Sequence, residues 1–254
     1  MPFRFEFHVK TDVGTQRTRN EDSYLIHEPF ALQVVADGMG GHVGGDVASD
    51  LATQTILRSF ERNVSVGAKP HRRKDGDLLK RAIQEANAEV FTEGSNDPDL
   101  RDMGTTVVVA WFRDEFVVLG SVGDSRIYRL RKGAFEQLTT DHSWVGELMR
   151  RRLISPDEAA HHPLKNIITR ALGMDKKVNI DIHHEDLQEE DLFLLCTDGL
   201  TDFVDEPQIA EVLEAHRTDL PAACDVLVEM ANTAAGADNV TVGIARVDSG
   251  VIDS

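Results

Sequence analysis

The chain has 254 residues, 41% of them hydrophobic and 28% charged, enough to bury a full core without disulfide staples. Its formal net charge of −17 argues against nucleic acid and anionic membranes as partners, because basic surface holds both. Two cysteines, Cys196 and Cys224, give no disulfide framework and point to a reducing cytosol, and no stretch approaches the roughly 18 apolar residues of a membrane span.

Phe3, Phe5, Phe7 and Val9 alternate with Arg4, Glu6, His8 and Lys10, the pattern of a half-buried strand and not of a signal peptide. The apolar run 31–36 ends in Asp37-Gly38, a strand entering a tight turn. Helical spacing follows over about 45–62 and again over about 77–93, where Leu78, Leu79, Ala82, Ile83, Ala86 and Val90 share a face. Between them Lys69-Pro70-His71-Arg72-Arg73-Lys74 reads as a basic loop, either a solvated connection or a dock for an acidic partner.

Strands are expected at 105–112 and 116–122, then a hairpin of 126–131 and 134–138 about Lys132-Gly133. Residues 141–172 lack strong periodicity and read as an insertion on the sheet. Val178, Ile180 and Ile182 alternate, and 192–196 is a fully apolar strand in which Cys196 is a small core residue. Helices near 206–215 and 220–234 precede a closing strand at 240–247. Grouped strands and helices argue for an α+β fold, and two helical pairs suit a sheet sandwich covered on both sides. No linker or repeat divides the chain, so 1–254 is expected to be a single domain with an insertion at about 141–172.

Acidic motifs recur at strand ends: Asn20-Glu21-Asp22, Asp37-Gly38-Met39-Gly40-Gly41, Gly123-Asp124-Ser125, Thr197-Asp198-Gly199 and Asp238-Asn239. A carboxylate there is tolerable beside water or a cation and costly if buried alone. Several converging would make an oxygen-only site for Mg²⁺ or Mn²⁺. Asp37, Asp198 and Asp238 are the core of such a set, Glu21 and Asp22 could add ligands directly or through water, and Asp124 is a fourth acid at a strand–turn edge. For Asp37-Gly38 alone, a plain turn is the competing explanation. Two-metal sites of this kind lower the pKa of a bound water and clamp an in-line displacement at phosphorus. Arg17, four residues before Glu21, could hold two phosphate oxygens; the alternative is a surface salt bridge. Arg19 reads as solvated.

Other chemistries fail on spacing. Val43 stands where the third glycine of a dinucleotide fingerprint belongs, and no glycine precedes Lys-Ser or Lys-Thr. His183-His184-Glu185 lacks the zinc-protease spacing. A Cys-x5-Arg nucleophile motif is missing, with Asp202 and Met230 at the arginine positions.

Taken in order, Arg17 with Asn20-Glu21-Asp22, Asp37-Gly38-Met39-Gly40-Gly41, Gly104-Thr105-Thr106, Gly123-Asp124-Ser125-Arg126, Asp141-His142-Ser143, Ile168-Thr169-Arg170-Ala171-Leu172-Gly173, Thr197-Asp198-Gly199-Leu200 and Asp238-Asn239 resemble the metal-dependent protein phosphatases of type 2C, in their compact bacterial branch. Any one motif is weak, and eight in order over about residues 8–247 are specific. The resemblance implies a β-sandwich of two mainly antiparallel sheets flanked by helix pairs, in α-β-β-α layers. It implies hydrolysis of phosphoserine and phosphothreonine in proteins, in one step, by a hydroxide held between two metals. By the resemblance Asp37 bridges two Mn²⁺ or Mg²⁺ ions, Gly38 gives its carbonyl to one, and Asp198 and Asp238 bind the other. Asp22 supports the site through water, and Asp124 with Asp198 marks a third, weaker metal position. Residues 141–172 match the family's mobile flap.

Met39 replaces the histidine that larger relatives use as a proposed acid, which leaves His42, a metal-bound water or no dedicated group. His142, His161 and His162 are structural or face substrate. The expected setting is a cytoplasmic monomer acting on phosphorylated proteins and opposing a Ser/Thr kinase. The rivals are a phosphoprotein-binding module without turnover, disfavoured because Asp37, Asp198 and Asp238 are all present, and a two-metal esterase for small phosphates.

Overall fold

A computed structural model describes residues 3–40, 44–155, 158–159 and 162–250. The first half runs β1 (Arg4–Asp12), β2 (Asp22–His27), β3 (Leu32–Met39), α1 (Gly45–Asn63), α2 (Arg72–Asn96), β4 (Gly104–Thr105), β5 (Val107–Phe112) and β6 (Phe116–Val122). There follow the hairpin β7 (Arg126–Arg131) and β8 (Ala134–Gln137), then α3 (Trp144–Arg150) and β9 (Asp181–Asp186). The chain closes with β10 (Leu192–Cys196), α4 (Asp198–Thr201), α5 (Glu206–Ala215), α6 (Leu220–Ala234) and β11 (Val240–Asp248). Among the described residues no helix is long and apolar enough to cross a membrane.

Two antiparallel sheets stack face to face. One has the order β1-β11-β10-β7-β8; the other has β2-β3-β5-β6-β9, with β4 added to β3. The two-residue period of each strand divides its side chains between layers. In β5, Val108, Ala110 and Phe112 fill the space between the sheets, while Val107, Val109 and Trp111 face α1 and α2. In β10, Phe193 and Leu195 point inward, while Leu192, Leu194 and Cys196 pack under α5 and α6. The expected α-β-β-α layering is thus the observed one, with three apolar cores in place of one.

Several elements depart from the sequence expectation: β9 runs over Asp181–Asp186, later than the alternation at 178–182, and three others show the cause. Strand β2 carried no clear alternation and is recruited by pairing along β3. Helix α2 starts at Arg72, so half of the expected basic loop is its first turn. The His71 side chain accepts from the Lys74 amide, and Asp75 is buried against Arg113 at 2.9 Å; both act before the apolar periodicity begins at Leu78. The strand expected at 105–112 is interrupted at Thr106, whose amide leaves the ladder to donate to the Asp37 carbonyl at 2.8 Å.

Phe112 lies at the centre of the inner core, with ring centroids of Phe5, Phe7 and Phe193 at 5.1, 5.5 and 5.4 Å. Phe112→Ala is expected to cost about 3–5 kcal/mol of stability. The reading is a lower urea midpoint with an unchanged slope.

Candidate active site

The acids meet because the strands that carry them end on the same side of the sandwich. Asp22 opens β2 directly opposite Asp37 near the end of β3. Asp198 begins α4 just after β10, and Asp238 sits two residues before β11, its antiparallel neighbour. Asp124 occupies the turn between β6 and β7. Each sheet therefore delivers part of the set, and sequence separations of up to 216 residues collapse to one locus.

Electrostatics report the convergence. Asp37 is held well above the ordinary carboxylate range, first by burial and then by the charges of Asp22, Asp198, Asp124 and Asp238. Asp124 is pushed up to about 8 by burial, Asp198 and Asp141. Burial raises Asp22 to about 7 against the opposing pull of the Thr241 and Thr197 hydroxyls. Burial and Asp238 raise Asp198 to about 6, partly offset by a hydrogen bond with Asp37. Glu21 is also raised, by burial and then Asp46, while Arg17 and Arg19 oppose the shift.

Three of these aspartates each keep one buried oxygen, Oδ1 of Asp22, Asp124 and Asp198, with no hydrogen-bond partner. Buried carboxylate oxygens without donors are expensive, and a hard divalent cation is the ligand that answers several at once. The donor set, all oxygen, suits Mg²⁺ or Mn²⁺. Among the described residues no three acids, histidines or cysteines already form a preset cage, so the case rests on the orphaned oxygens and the shared charge.

The surroundings orient the acids through hydroxyl and amide groups, several of them within the motifs, whose direction no spacing revealed. Asp22 Oδ2 accepts from Thr197 Oγ1 at 3.0 Å and Thr241 Oγ1 at 2.6 Å. Because Thr241 gives its proton to Asp22, Thr11 Oγ1 donates to Thr241 Oγ1 at 2.8 Å, and Thr11 in turn accepts from Asn20 Nδ2 at 2.8 Å. Thr106 Oγ1 accepts from the Asp37 amide at 3.0 Å and meets Ser125 Oγ at 2.6 Å, joining the Asp37 strand to the Asp124 turn. Asn239 accepts from the Glu21 amide and donates to the carbonyls of Val13 and Arg19. Thr197 lies beside Asp198 and Thr241 three residues past Asp238, whereas Thr106 is distant in sequence from every acidic motif; only sheet pairing aims them.

Gly38 is required by space. A Cβ there would sit 2.0 Å from the Gly45 carbonyl oxygen and 2.5 Å from that of Glu21, which already accepts from the Gly38 amide at 3.0 Å. A Cβ on Gly45 would meet the Glu21 carboxyl carbon at 2.7 Å, so Glu21 lies against the start of α1.

Arg17 is half-exposed and donates from Nη2 to Asp238 Oδ2 at 3.0 Å and from Nε to the Ala237 carbonyl at 3.3 Å. Of the two alternatives for Arg17 the structure shows the salt bridge, and the pair stands at the solvent edge of the acid cluster. Arg19, expected to be solvated, pairs with Asp46. Residues 141–172 border the site through Lys165, 2.9 Å from Asp202, and through Leu172, which exchanges backbone hydrogen bonds with Thr105. His142 is fully buried. The imidazole of His162 accepts from the Leu164 amide, and His42 and His161 fall outside the described residues.

The model of the family described as protein phosphatase 2C matches residues 14–230. The chain is 40% identical over 242 residues to a serine/threonine phosphatase of Listeria monocytogenes, covering 94% of each. It superposes on the serine/threonine phosphatase Stp1 of Staphylococcus aureus with a TM-score of 0.89 at 33% identity, covering 98% of each chain. It is also similar to the catalytic domain of the serine/threonine phosphatase PstP, solved with two manganese ions, at a TM-score of 0.85 and 32% identity over 97% of this chain and all of that one.

The raised carboxyls make a pH prediction. Asp198, Asp22 and Asp124 hold protons up to about 6, 7 and 8, whereas an unfolded aspartate releases its proton near 3.8. Between those limits the folded state binds more protons, so stability falls as pH rises. Metal-chelated protein should melt progressively lower from about pH 5 to 8, and Asp124→Asn should flatten the upper part of that decline. Melting temperatures that climb with pH across the window would contradict the assignment.

Proposed function

The chain belongs to the protein phosphatase 2C family and is a metal-dependent serine/threonine protein phosphatase, and from that premise we propose how its residues divide the work. The observation that carries the assignment is the convergence of five aspartates, three with a buried, unpartnered oxygen, beside an exposed arginine. Asp37, the acid that feels all the others, would bridge two divalent ions, with the Gly38 carbonyl completing one position and Asp198 and Asp238 the other. Glu21 and Asp22 would support the ions, Asp22 being fixed by its two threonine hydroxyls. Asp124, whose carboxyl feels the charge of Asp198, would hold a third and weaker ion. Bound Mn²⁺ or Mg²⁺ supplies Lewis acidity, lowering the pKa of water and taking up charge on the phosphoryl group.

Arg17 has the role of gripping the substrate. Its guanidinium is solvent-facing and already directed at Asp238, so it can exchange that partner for two phosphate oxygens beside the same acids. The stabilisation grows as charge accumulates on those oxygens during the displacement. No covalent phosphoenzyme is needed. Cys196 and Cys224 are both buried, and burial pushes each thiol up to about 12, so neither is a thiolate at neutral pH. Residues 141–172 would act as a flap shaping access, within a single catalytic unit spanning 1–254. The physiological setting we infer is a cytoplasmic monomer that reverses the action of a Ser/Thr kinase on its protein substrates.

Release of phosphate from a phosphothreonine peptide should be negligible after metal stripping and return with Mn²⁺. A rate independent of metal would sink the mechanism; equal rates on nucleotide and sugar phosphates would favour the small-molecule esterase. Asp37→Asn should lower kcat by roughly 10³-fold or more while circular dichroism stays native. Arg17→Ala should raise the peptide KM by about ten-fold or more, the loss of a bidentate charged contact.

A further inference from the structure

His142 is a fully buried imidazole that the mechanism above leaves without a role. It is bonded twice to the turn that carries Asp124. The Gly123 amide donates to His142 Nδ1 at 3.1 Å, and the His142 amide donates to the Gly123 carbonyl at 2.9 Å. Gly123 has φ +105, and a Cβ on it would lie 2.6 Å from Thr106, so the turn is a tight left-handed one backed against the network that also holds Asp37. On the far side of the ring, Nε2 lies 3.1 Å from Asp181 Oδ2, and Arg170 Nη1 lies 3.1 Å from Nε2 and 3.3 Å from Asp181 Oδ1. The His142 carbonyl accepts from both the amide and the hydroxyl of Thr169, at 2.7 and 2.9 Å.

These contacts define the tautomer. Nδ1 accepts and therefore carries no proton; the ring proton is on Nε2 and is donated to Asp181. A protonated ring would oppose its Nδ1 proton to the Gly123 amide, and burial accordingly lowers the His142 pKa. The imidazole is a fixed neutral strut with Gly123 at one end and Asp181 at the other. Its backbone ties the same point to Thr169, and the next residue, Ser143, bridges Ile168. The Asp124 turn, both ends of the 141–172 segment and edge strand β9 thus meet at one side chain.

We propose that His142 is a positioning residue for Asp124: through the Gly123 amide it holds the Gly123–Asp124 turn, and so keeps the Asp124 carboxylate within the acid cluster that includes Asp198. The proposal rests on the reading of Asp124 and Asp198 as cation ligands. Outer groups that orient ligands commonly govern metal affinity by 10–100-fold, and here the orienting group acts through a backbone turn.

Asparagine and glutamine separate the two ends of the strut. His142→Asn can place an amide oxygen near the position of Nδ1 and still accept from Gly123, but cannot reach Asp181. His142→Gln reaches toward Asp181 and gives up Gly123. His142→Ala loses both.

The experiment is calorimetric titration of each full-length variant with Mn²⁺ alone, hydrogen exchange at the Gly123 amide, and kcat and KM on a phosphothreonine peptide. In His142→Gln and His142→Ala the weakest Mn²⁺ site is expected to weaken by about ten-fold or more, Gly123 to exchange faster, and kcat to fall with KM within about two-fold. His142→Asn is expected to stay near wild type in all three. Equal Mn²⁺ affinity and equal Gly123 exchange in the Asn and Gln variants would overturn the proposal, even if both melt lower, and the Asn–Gln contrast decides it if the Ala variant does not fold. Wild-type protein that takes up no Mn²⁺ would instead overturn the metal-site reading, and this proposal with it.

Discussion

Like charges brought together out of water cannot all remain ionised, and this protein gathers five aspartates at one end of a sandwich. Asp37 bears the constraint most heavily, because its own burial is compounded by the other four. Arrangements of this kind tend to be costly to a fold unless something positive enters them. The rest of the molecule is intelligible as the frame that forces the acids together and then specifies where positive charge is admitted.

The frame is rigid where the acids are attached. Inner-face residues of both sheets interdigitate around Phe112 and Phe193, so the strand ends cannot drift apart without opening the core. Helix pairs close the outer faces through separate apolar clusters, leaving the strand ends as the place where backbone can turn toward solvent. Glycine is used where backbone must pass backbone, at Gly38 against Gly45 and at Gly123 against Thr106. Threonine hydroxyls then settle the carboxylates: Thr197 and Thr241 hold one oxygen of Asp22 and leave its other oxygen without a donor. The same device that tolerates the charge also aims it.

Positive charge enters from three directions. Arg17 stands at the exposed rim on Asp238, the position from which a phosphate can be taken over. Arg126 lies deeper, in a bidentate pair with Asp141, and its charge opposes the upward push of that acid on Asp124. Lys165 reaches from the 141–172 segment to Asp202, four residues past Asp198. A chain of net charge −17 repels anions at long range, so attraction for a phosphoryl group has to be local. His142 adds no charge of its own; its neutral ring stands between the Gly123 amide and Asp181.

Much of this was legible along the chain. The two-residue alternation at Phe3–Val9, the apolar run before Asp37 and the helical spacing at Gly45 and Leu78 are local properties, and they were enough for the layers. The acids were legible too, because a carboxylate beside glycine at the end of an apolar strand has few explanations other than a turn or a cation. What stayed hidden depended on partners distant in sequence. Strand β2 exists through its pairing with β3, the first turn of α2 through Arg113 on Asp75, and the break at Thr106 through the Asp37 carbonyl. The sequence by itself determined which residues are acidic, apolar or conformationally free, and in what order. Only the tertiary structure decided that Asp22, Asp37, Asp124, Asp198 and Asp238 share one locus, that Thr197 and Thr241 point at Asp22, and that His142 braces Gly123. The reason is physical: side-chain chemistry and local periodicity are written residue by residue, whereas burial, field and hydrogen-bond direction arise from segments up to about two hundred residues apart that meet only when the sheets pair and stack.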